Sequence, residues 1–519
     1  MMDLMPDEDE DKVRAVITAQ CETSHLFFTR FFFKYRHAHK FIVNWHHDVF
    51  SDAIDDIIFG RVRNLNVQVP PGSTKTEEFV INLIARGIAL NPWSRFLHLS
   101  GSDQLATLNS ATARDLVSSE EYQALWPRHI AEDSKAKKRW NVMVGGKIAG
   151  GVYATAIGGQ VIGFRAGHMA DGFQGALIID DPNKPEDAFS KSELDKANRK
   201  LLTVVQSRRA TENTPIILVQ QRIAENDCSG FIEKGNLPGR WKILKIPALI
   251  DDGYVQKLKP KYRKNVDSSK RDNHQRFSYW PYKEPIEKLN ALERGEGKDE
   301  AGARVSRHVF NSQYQQSPVA LGGNLIKGSS FVRYTVLPKL TYRIIIGDTA
   351  QKAREHNDYS VFGEFGLGKE DGRLYITDWI RGKWEAPELL NRVASFWAKC
   401  KAKDATEMGR LRKLKVEDKV SGTGLIQTVK LPPHNIPVEG IERDTDKLTR
   451  VMDAQPYIDV GLVCVPQDAP WVSDFIAECE AFAADMSHDF DDQVDVLCDG
   501  VMDLLGESNK LERWKKLGE

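Results

Sequence analysis

The chain carries two stretches in which short apolar runs alternate with helical periodicity, separated by a polar stretch. In the first, Leu65, Val67 and Val69 alternate with polar residues, which predicts a strand. Phe79, Val80, Leu83, Ile84 and Ile88 then recur at helical spacing. RFLHLS (95–100) predicts a second strand, with a helix expected over 104–117. The glycine-rich stretch 150–173 reads as a hairpin carrying Arg165. ALIIDD (176–181) and PIILVQQ (215–221) are apolar runs that fit buried parallel strands. Strands alternating with helices predict an α/β, doubly wound parallel sheet up to residue 245. Ahead of it, 25–47 reads as a helical element that packs Phe27, Phe28, Phe31 and Phe32.

Residues 246–330 are polar and basic with little periodicity and read as a connector. The second stretch runs over 331–519. YRIIIGD (342–348), 359–365 and 373–379 predict three strands joined by short turns. An amphipathic helix over 387–400 and a fourth strand, KLKVED (413–418), follow. HDFDDQVDVLCDG then opens a final helix. The order β-β-β-α-β-α-β-α predicts an RNase H-like mixed α/β domain. The expected organisation is 1–245, a connector over 246–330, and 331–519.

At 519 residues the chain has room for about two to four domains. Its formal net charge of −1 gives no global field for nucleic acid, so any such contact must use local patches. The six cysteines are scattered without a CxxC pair, which suits a reducing compartment rather than a structural zinc or a disulfide framework. The acidic residues 1–12 lack the apolar core of a secretory leader and are expected to be mobile. No apolar run is long enough to span a bilayer, so no membrane partner is expected.

Candidate chemistry gathers at two places. Strand, tight turn, Lys-Thr and helix is the layout of a phosphate-binding loop, here Gly72, Ser73, Thr74, Lys75 and Thr76. Backbone N–H groups at the helix start face phosphates, the lysine reaches them, and the threonine hydroxyl reaches Mg²⁺. Val69 and Thr74 stand where the usual motif has glycine. Asp180, ending its strand, is the candidate Mg²⁺ carboxylate, and Asp181 would polarise the attacking water. Gln220, Gln221 and Arg222, at the end of a further strand, face the same edge, where a γ-phosphate would lie. Asn44-Trp45-His46-His47 offers an aromatic-polar pair for an adenine base. In the second stretch, acids stand at the ends of the first and fourth strands (Asp348; Glu417 and Asp418) and at the last helix (Asp491, Asp492, Asp495). Three carboxylates from distant parts of a chain can hold two divalent ions for a phosphodiester displacement.

In this order, VPPGSTKTE, ALIIDDP, LVQQRIAENDCSG, WKILKIPAL, FNSQYQQSP, IIGDTAQ, VEDKVSGTGLIQ and HDFDDQVD resemble the large terminase subunit of tailed bacteriophages over about residues 40–500. That resemblance implies a RecA/ASCE-like P-loop ATPase domain followed by an RNase H-like nuclease domain. ATP hydrolysis would drive double-stranded DNA into a prohead, and the nuclease would cut concatemers. It implies ATP and Mg²⁺, with Mn²⁺ as an alternative nuclease ion. Lys75 and Thr76 would bind phosphates and Mg²⁺, Asp180 the metal, and Asp181 would stand for the usual glutamate. Gln221-Arg222 would report nucleotide state, and Arg165 would be an arginine finger in cis or on a neighbouring subunit. In the nuclease, Asp348, Glu417 and one of Asp491 and Asp492 would be ligands, with Asp358 auxiliary and Asp495 supporting. The implied partners are portal protein, a small terminase subunit and further copies in a ring, expected as a pentamer. The implied location is the host cytoplasm during assembly, outside the mature virion. The competing reading is a helicase-nuclease of repair or restriction type, which would need a second RecA-like sheet; the chain shows one P-loop. A scaffold with degenerate sites is disfavoured because both acid sets are intact.

Overall fold

The computed structural model describes residues 7–131, 137–159, 163–298, 305–318, 325–350, 359–406, 408–417, 420–443, 445–483, 488 and 490–506. It divides by packing into two units, Met1–Asn290 with His308–Val319, and Ala291–Arg307 with Ala320–Glu519. The stretch 246–330, read as a connector, is therefore shared between them. Its first part folds into the first unit: Tyr279 N donates to Ala248 O, and Tyr279 O accepts from Trp45 Nε1 at 2.8 Å.

The first unit is built on an eight-stranded sheet. Its strands are β1 (Asn64–Gln68), β2 (Arg95–Ser100), β3 (His129–Ile130), β4 (Arg139–Val144), β5 (Lys147–Ala156), β6 (Leu177–Asp180), β7 (Ile216–Gln220) and β8 (Trp241–Lys245). The order is β3-β4-β5-β2-β6-β7-β1-β8, with β5, β2, β6, β7, β1 and β8 parallel. β7 therefore lies between the strand leading to Lys75 and the strand ending in Asp180, the ASCE arrangement. One face is covered by the helix Lys191–Ser207, whose Leu201 and Val205 pack on Leu99, Ile179 and Leu218. The hairpin sits earlier than expected: it is β4–β5, turning at Gly145-Gly146, while 163–176 is irregular.

The aromatic segment 25–47 forms two helices, His25–His37 and Trp45–Ile58, rather than one. Ser24 caps the first, its hydroxyl accepting from Phe27 N. Phe28 and Phe32 are fully buried beside Trp126, each contributing roughly 1.5–3 kcal/mol by burial. Phe27 and Phe31 are only half-buried. A helix over Asp7–Thr23 occupies half of the stretch expected to be mobile. A small pair, β9 (Leu249–Ile250) with β10 (Phe277–Ser278), completes this unit's strands among the described residues.

The second unit carries β11 (Val332–Tyr334), β12 (Leu340–Asp348), β13 (Ser360–Gly368), β14 (Leu374–Gly382), β15 (Arg410–Glu417), β16 (Val438–Ile441) and β17 (Val463–Pro466). Their order is β11-β17-β14-β13-β12-β15-β16. β12, β13 and β14 form an antiparallel meander, and β15 pairs parallel to β12. This is the RNase H-like order expected from the sequence. The helices Ala386–Ala402 and Val420–Lys430 pack on one face through Leu389, Val393, Leu425 and Val429 against Ile345, Leu414 and Val416. The helix Asp492–Leu505 packs on the other, where Gly500 meets the Phe365 ring. All six cysteines are buried, free thiols. No helix among the described residues is long and apolar enough to cross a membrane.

Candidate active sites

The first site forms at the carboxyl edge of the first unit's sheet, because β1, β6 and β7 are parallel and end there together. Gly72 takes φ +70°, and Thr74, where the motif would have glycine, takes φ +63° all the same. A β-branched residue pays for that backbone, on the order of 1–3 kcal/mol. The loop is tied from outside: His47 Nε2 lies 3.0 Å from Thr74 Oγ1, and Lys283 Nζ donates to Gly72 O at 2.7 Å. The missing glycine therefore leaves the loop's shape in place. Asn44, Trp45, His46 and His47 do not present a face to a base. Trp45, His46 and His47 are fully buried, and Asn44 and Trp45 both donate to Tyr279 O. Burial pushes His46 well below the ordinary histidine range and His47 down to about 3, so both are neutral props for the loop.

Lys75 Nζ lies 2.9 Å from Asp181 Oδ2 and donates to Gln221 Oε1 at 3.2 Å. Thr76 Oγ1 donates to Asp180 Oδ2 at 3.0 Å. Asp181 itself has φ +43°, a conformation aspartate tolerates better than most residues, and its Oδ1 accepts from Gln221 N. Burial first, and the Asp181 charge second, push the Asp180 carboxyl up to about 7. Asp180 Oδ1 is buried with no hydrogen-bond partner, and so is Ser73 Oγ in the loop. A divalent ion beside Thr76 would satisfy the Asp180 oxygen and relieve both causes of the shift. The residues present thus fit Mg²⁺ and phosphate.

The two expected coupling residues differ. Gln221 lies in the site, but Arg222 points into the sheet's other layer. There its Nε meets Asp227 Oδ1 at 2.9 Å and its Nη1 meets Glu233 Oε2 at 3.1 Å. Arg222 is 3% exposed and unavailable to phosphate. Its backbone N–H donates to Gln316 Oε1 at 3.0 Å, which docks FNSQYQQSP on this unit. Gln220 is buried on the sheet with neither amide atom paired.

Arg165 is far from this edge. Its neighbour Gly167 donates to Arg95 O, and Arg95 opens β2, whose last residue Ser100 pairs with Asp180. A strand's length, about 17 Å at 3.3 Å per residue, separates the two ends. Arg165 instead lines a cavity of about 800 Å³ with Arg95 and Arg208, whose lining contains no acid. This placement puts Arg165 toward the amino edge of the sheet, away from the phosphate loop of its own chain.

The second site follows from one pairing. β12 and β15 are parallel neighbours with Gly347 beside Val416, so Asp348 and Glu417 end side by side. Both face away from the layer that holds Ile345 and Val416, by strand alternation. Gly422 is required here, because a Cβ would come within 1.9 Å of Glu417 O. The helix Asp492–Leu505 brings Asp495 and Asp499 over them. Arg443 Nη1 then lies 2.9 Å from Asp348 Oδ2, 3.0 Å from Glu417 Oε2 and 3.6 Å from Asp495 Oδ2. Its Nη2 lies 2.7 Å from Asp499 Oδ2. Burial pushes the Asp348 carboxyl up to about 6 against the pull of Arg443, while Asp495 and Glu417 push the same way as burial.

The third acid of this convergence is Asp495, where the sequence pointed to Asp491 or Asp492. Asp491 is held by Lys447 at 2.6 Å and His488 Nε2 at 2.9 Å. Burial pushes its carboxyl up, but these two partners hold it below the usual range. Asp492 Oδ2 accepts from Tyr359 N at 2.9 Å. Lys447 also meets Asp495 Oδ2 at 2.8 Å, and Arg450 meets Oδ1. Asp358 and Asp418 lie outside the described residues. Sequence reasoning missed Arg443, Lys447, Arg450 and Asp499. The basic residues stand in ERDTDKLTR, ahead of the acid motif, and the i, i+4 step from Asp495 to Asp499 was the one available signal. Three carboxylate oxygens around one point of positive charge suit a hard divalent cation.

A P-loop sheet of ASCE order followed by an RNase H-like sheet with converging acids defines the ATPase-plus-nuclease class of fold. Residues 345–504 match the family model for the terminase RNaseH-like domain. That match lies within the second unit, and the resemblance to large terminase subunits is borne out there. No curated protein matches the chain by sequence. The large terminase of a thermophilic bacteriophage, in complex with ADP, is similar over 88% of this chain and 99% of its own, at 11% identity and a TM-score of 0.42. The HK97 bacteriophage large terminase is similar over 89% and 95%, at 11% identity and a TM-score of 0.31. The large terminase nuclease domain of bacteriophage SPP1 with bound Mn is similar over 34% and 98%, at 14% identity and a TM-score of 0.25. At these values the likenesses add nothing to what the family match and the geometry carry.

Proposed function

We propose that this chain is the motor-nuclease of a tailed bacteriophage. It hydrolyses ATP to move double-stranded DNA into a prohead and cuts concatemeric DNA. The observation that carries the reading is that each unit gathers its own complete acid site: Lys75, Thr76, Asp180 and Asp181 in the first, and Asp348, Glu417 and Asp495 in the second. Lys75 binds the phosphates, Thr76 and Asp180 hold Mg²⁺, Asp181 orients the water, and Gln221 touches Lys75 and Asp181 together. Divalent ions bound at the second site would supply Lewis acidity for phosphodiester cleavage. Asp348, Glu417 and Asp495 hold them there, with Asp492 and Asp491 fixing the start of the helix. Arg165, at the amino edge, serves a neighbouring copy's nucleotide in a ring. Portal protein and a small subunit complete the assembly in the host cytoplasm.

The test is to separate the two activities in the purified full chain. Lys75→Ala abolishes ATP hydrolysis and leaves Mn²⁺-dependent DNA cleavage, whereas Asp348→Asn does the reverse. Loss of both activities in either variant, with the fold intact, refutes the two-site reading.

A further inference from the structure

Two deeply placed arginines of the second unit, Arg343 and Arg443, are held in different ways, and the contrast points to a function for one of them. Arg343 is fully buried beside Glu364, and main-chain carbonyls lock it in place: Cys400 O at 2.9 Å, Met408 O at 3.1 Å and Gly409 O at 3.0 Å. Removing its acidic partners, Glu364 and Asp404, would leave those bonds standing. Arg443 is as deeply placed, with its side chain 4% exposed, yet every partner of its guanidinium among the described residues is a carboxylate. It stands two residues beyond β16, between that strand and the helix Lys447–Asp459. Among the described residues, no main-chain group bonds its guanidinium.

What it touches is the set of oxygens a metal would need. Asp348 Oδ2, Glu417 Oε2 and Asp495 Oδ2 all lie within 3.6 Å of its Nη1. A divalent ion would draw the same oxygens to about 2.0–2.6 Å. A guanidinium is always charged, so it cannot give way by losing a proton. Two cations sharing one set of ligands repel strongly at such distances in a buried site. The arginine and the ion are therefore alternatives. We propose that Arg443 is an internal counter-cation that holds the nuclease acids together without metal, and that divalent ions bind only as it withdraws. The inference rests on the nuclease reading above and adds its regulation: cleavage is braked by a side chain of the same chain, released when the Arg443 segment shifts. Asp499 is the brake's anchor, since it meets Nε at 3.2 Å and Nη2 at 2.7 Å and stays off the shared nitrogen Nη1.

The experiment is calorimetric titration of Mn²⁺ into the full-length protein without DNA or nucleotide. Arg443→Gln is expected to bind Mn²⁺ about tenfold more tightly than wild type, because a competing charge is gone. Asp499→Asn is expected to tighten binding by a smaller factor, since it only loosens the anchor, and it decides the matter if Arg443→Gln does not fold. Adding Asp348→Asn to either variant must abolish the gain. A merely structural arginine predicts the opposite sign, with weaker binding as the acids splay. Unchanged or weaker Mn²⁺ binding in the folded variants, or a gain that survives Asp348→Asn, overturns the proposal while the nuclease reading stands. No Mn²⁺ binding in wild type or any variant overturns both.

Discussion

Replacing Glu78 by glutamine isolates a buried ionisable pair behind the phosphate loop. Glu78 is fully buried at the start of the loop's helix, with Oε2 3.1 Å from His25 Nε2 and accepting from Thr29 Oγ1 at 2.9 Å. Burial pushes its carboxyl from 4.5 up to about 8. Burial, with the Arg86 charge, pushes His25 from 6.5 down to about 3. At neutral pH the folded pair is thus a protonated acid beside a neutral imidazole. Between pH 4.5 and 6.5 the unfolded chain carries its proton on the histidine and the folded chain on Glu78, so the two effects cancel. From 6.5 to 8 the unfolded pair holds no proton and the folded pair still holds one, so stability falls as pH rises. At about 1.36 kcal/mol per unit, that window costs about 2 kcal/mol. Glu78→Gln keeps the shape and hydrogen bonds of the protonated acid and cannot ionise, so it escapes this loss. Urea unfolding of both proteins at about pH 6.5 and 8, followed by tryptophan fluorescence, gives the double difference, in which other titrations cancel. An equal fall in stability for both proteins would refute the reasoning.

Thr74→Gly should keep ATP binding, because glycine adopts φ +63° without strain, whereas Thr74→Pro should abolish it, since proline cannot take a positive φ; titration with a fluorescent ATP analogue checks both, and normal binding by the proline variant would discard the loop geometry. Asp495→Asn should lower DNA cleavage by orders of magnitude, on the order of 10² or more, while Asp491→Asn stays within about tenfold of wild type; the reverse ranking in a Mn²⁺-dependent plasmid-cutting assay would restore Asp491 as the third ligand. Arg165→Ala should lose ATP hydrolysis only in the assembled form, and mixing it with Lys75→Ala should restore part of the activity, because one copy supplies the arginine and the other the loop. Absence of recovery in a mixture shown to co-assemble would remove Arg165 from the reaction.

Local pattern carried the outline of both units. RFLHLS became β2 at its predicted bounds, and IIGD ended β12 on Asp348, because strand alternation and apolar runs are properties of a few adjacent residues. The Lys75-Thr76 turn and the ALIIDD strand end were legible for the same reason, and the parallel order of the first sheet made their meeting predictable. The sequence even marked Thr74 as the wrong residue for its turn; what it lacked was His47, 27 positions away, holding the threonine in a glycine's conformation. Tertiary structure alone decided how side chains share charge. Gln221 and Arg222 are adjacent just past β7, yet one side chain turns to Lys75 and the other to Asp227. Arg165 precedes Asp180 by a short loop, yet the chain's return to the start of β2 leaves it at the opposite edge of the sheet. Of the acids in HDFDDQVD, helix phase and the neighbours Lys447, His488 and Tyr359 select Asp495 for the convergence with Asp348 and Glu417. Arg443 carries no motif at all. Its position matters only because two strands and a helix, far apart in sequence, point four carboxylates at one nitrogen-rich group, and no local pattern encodes a convergence of that kind.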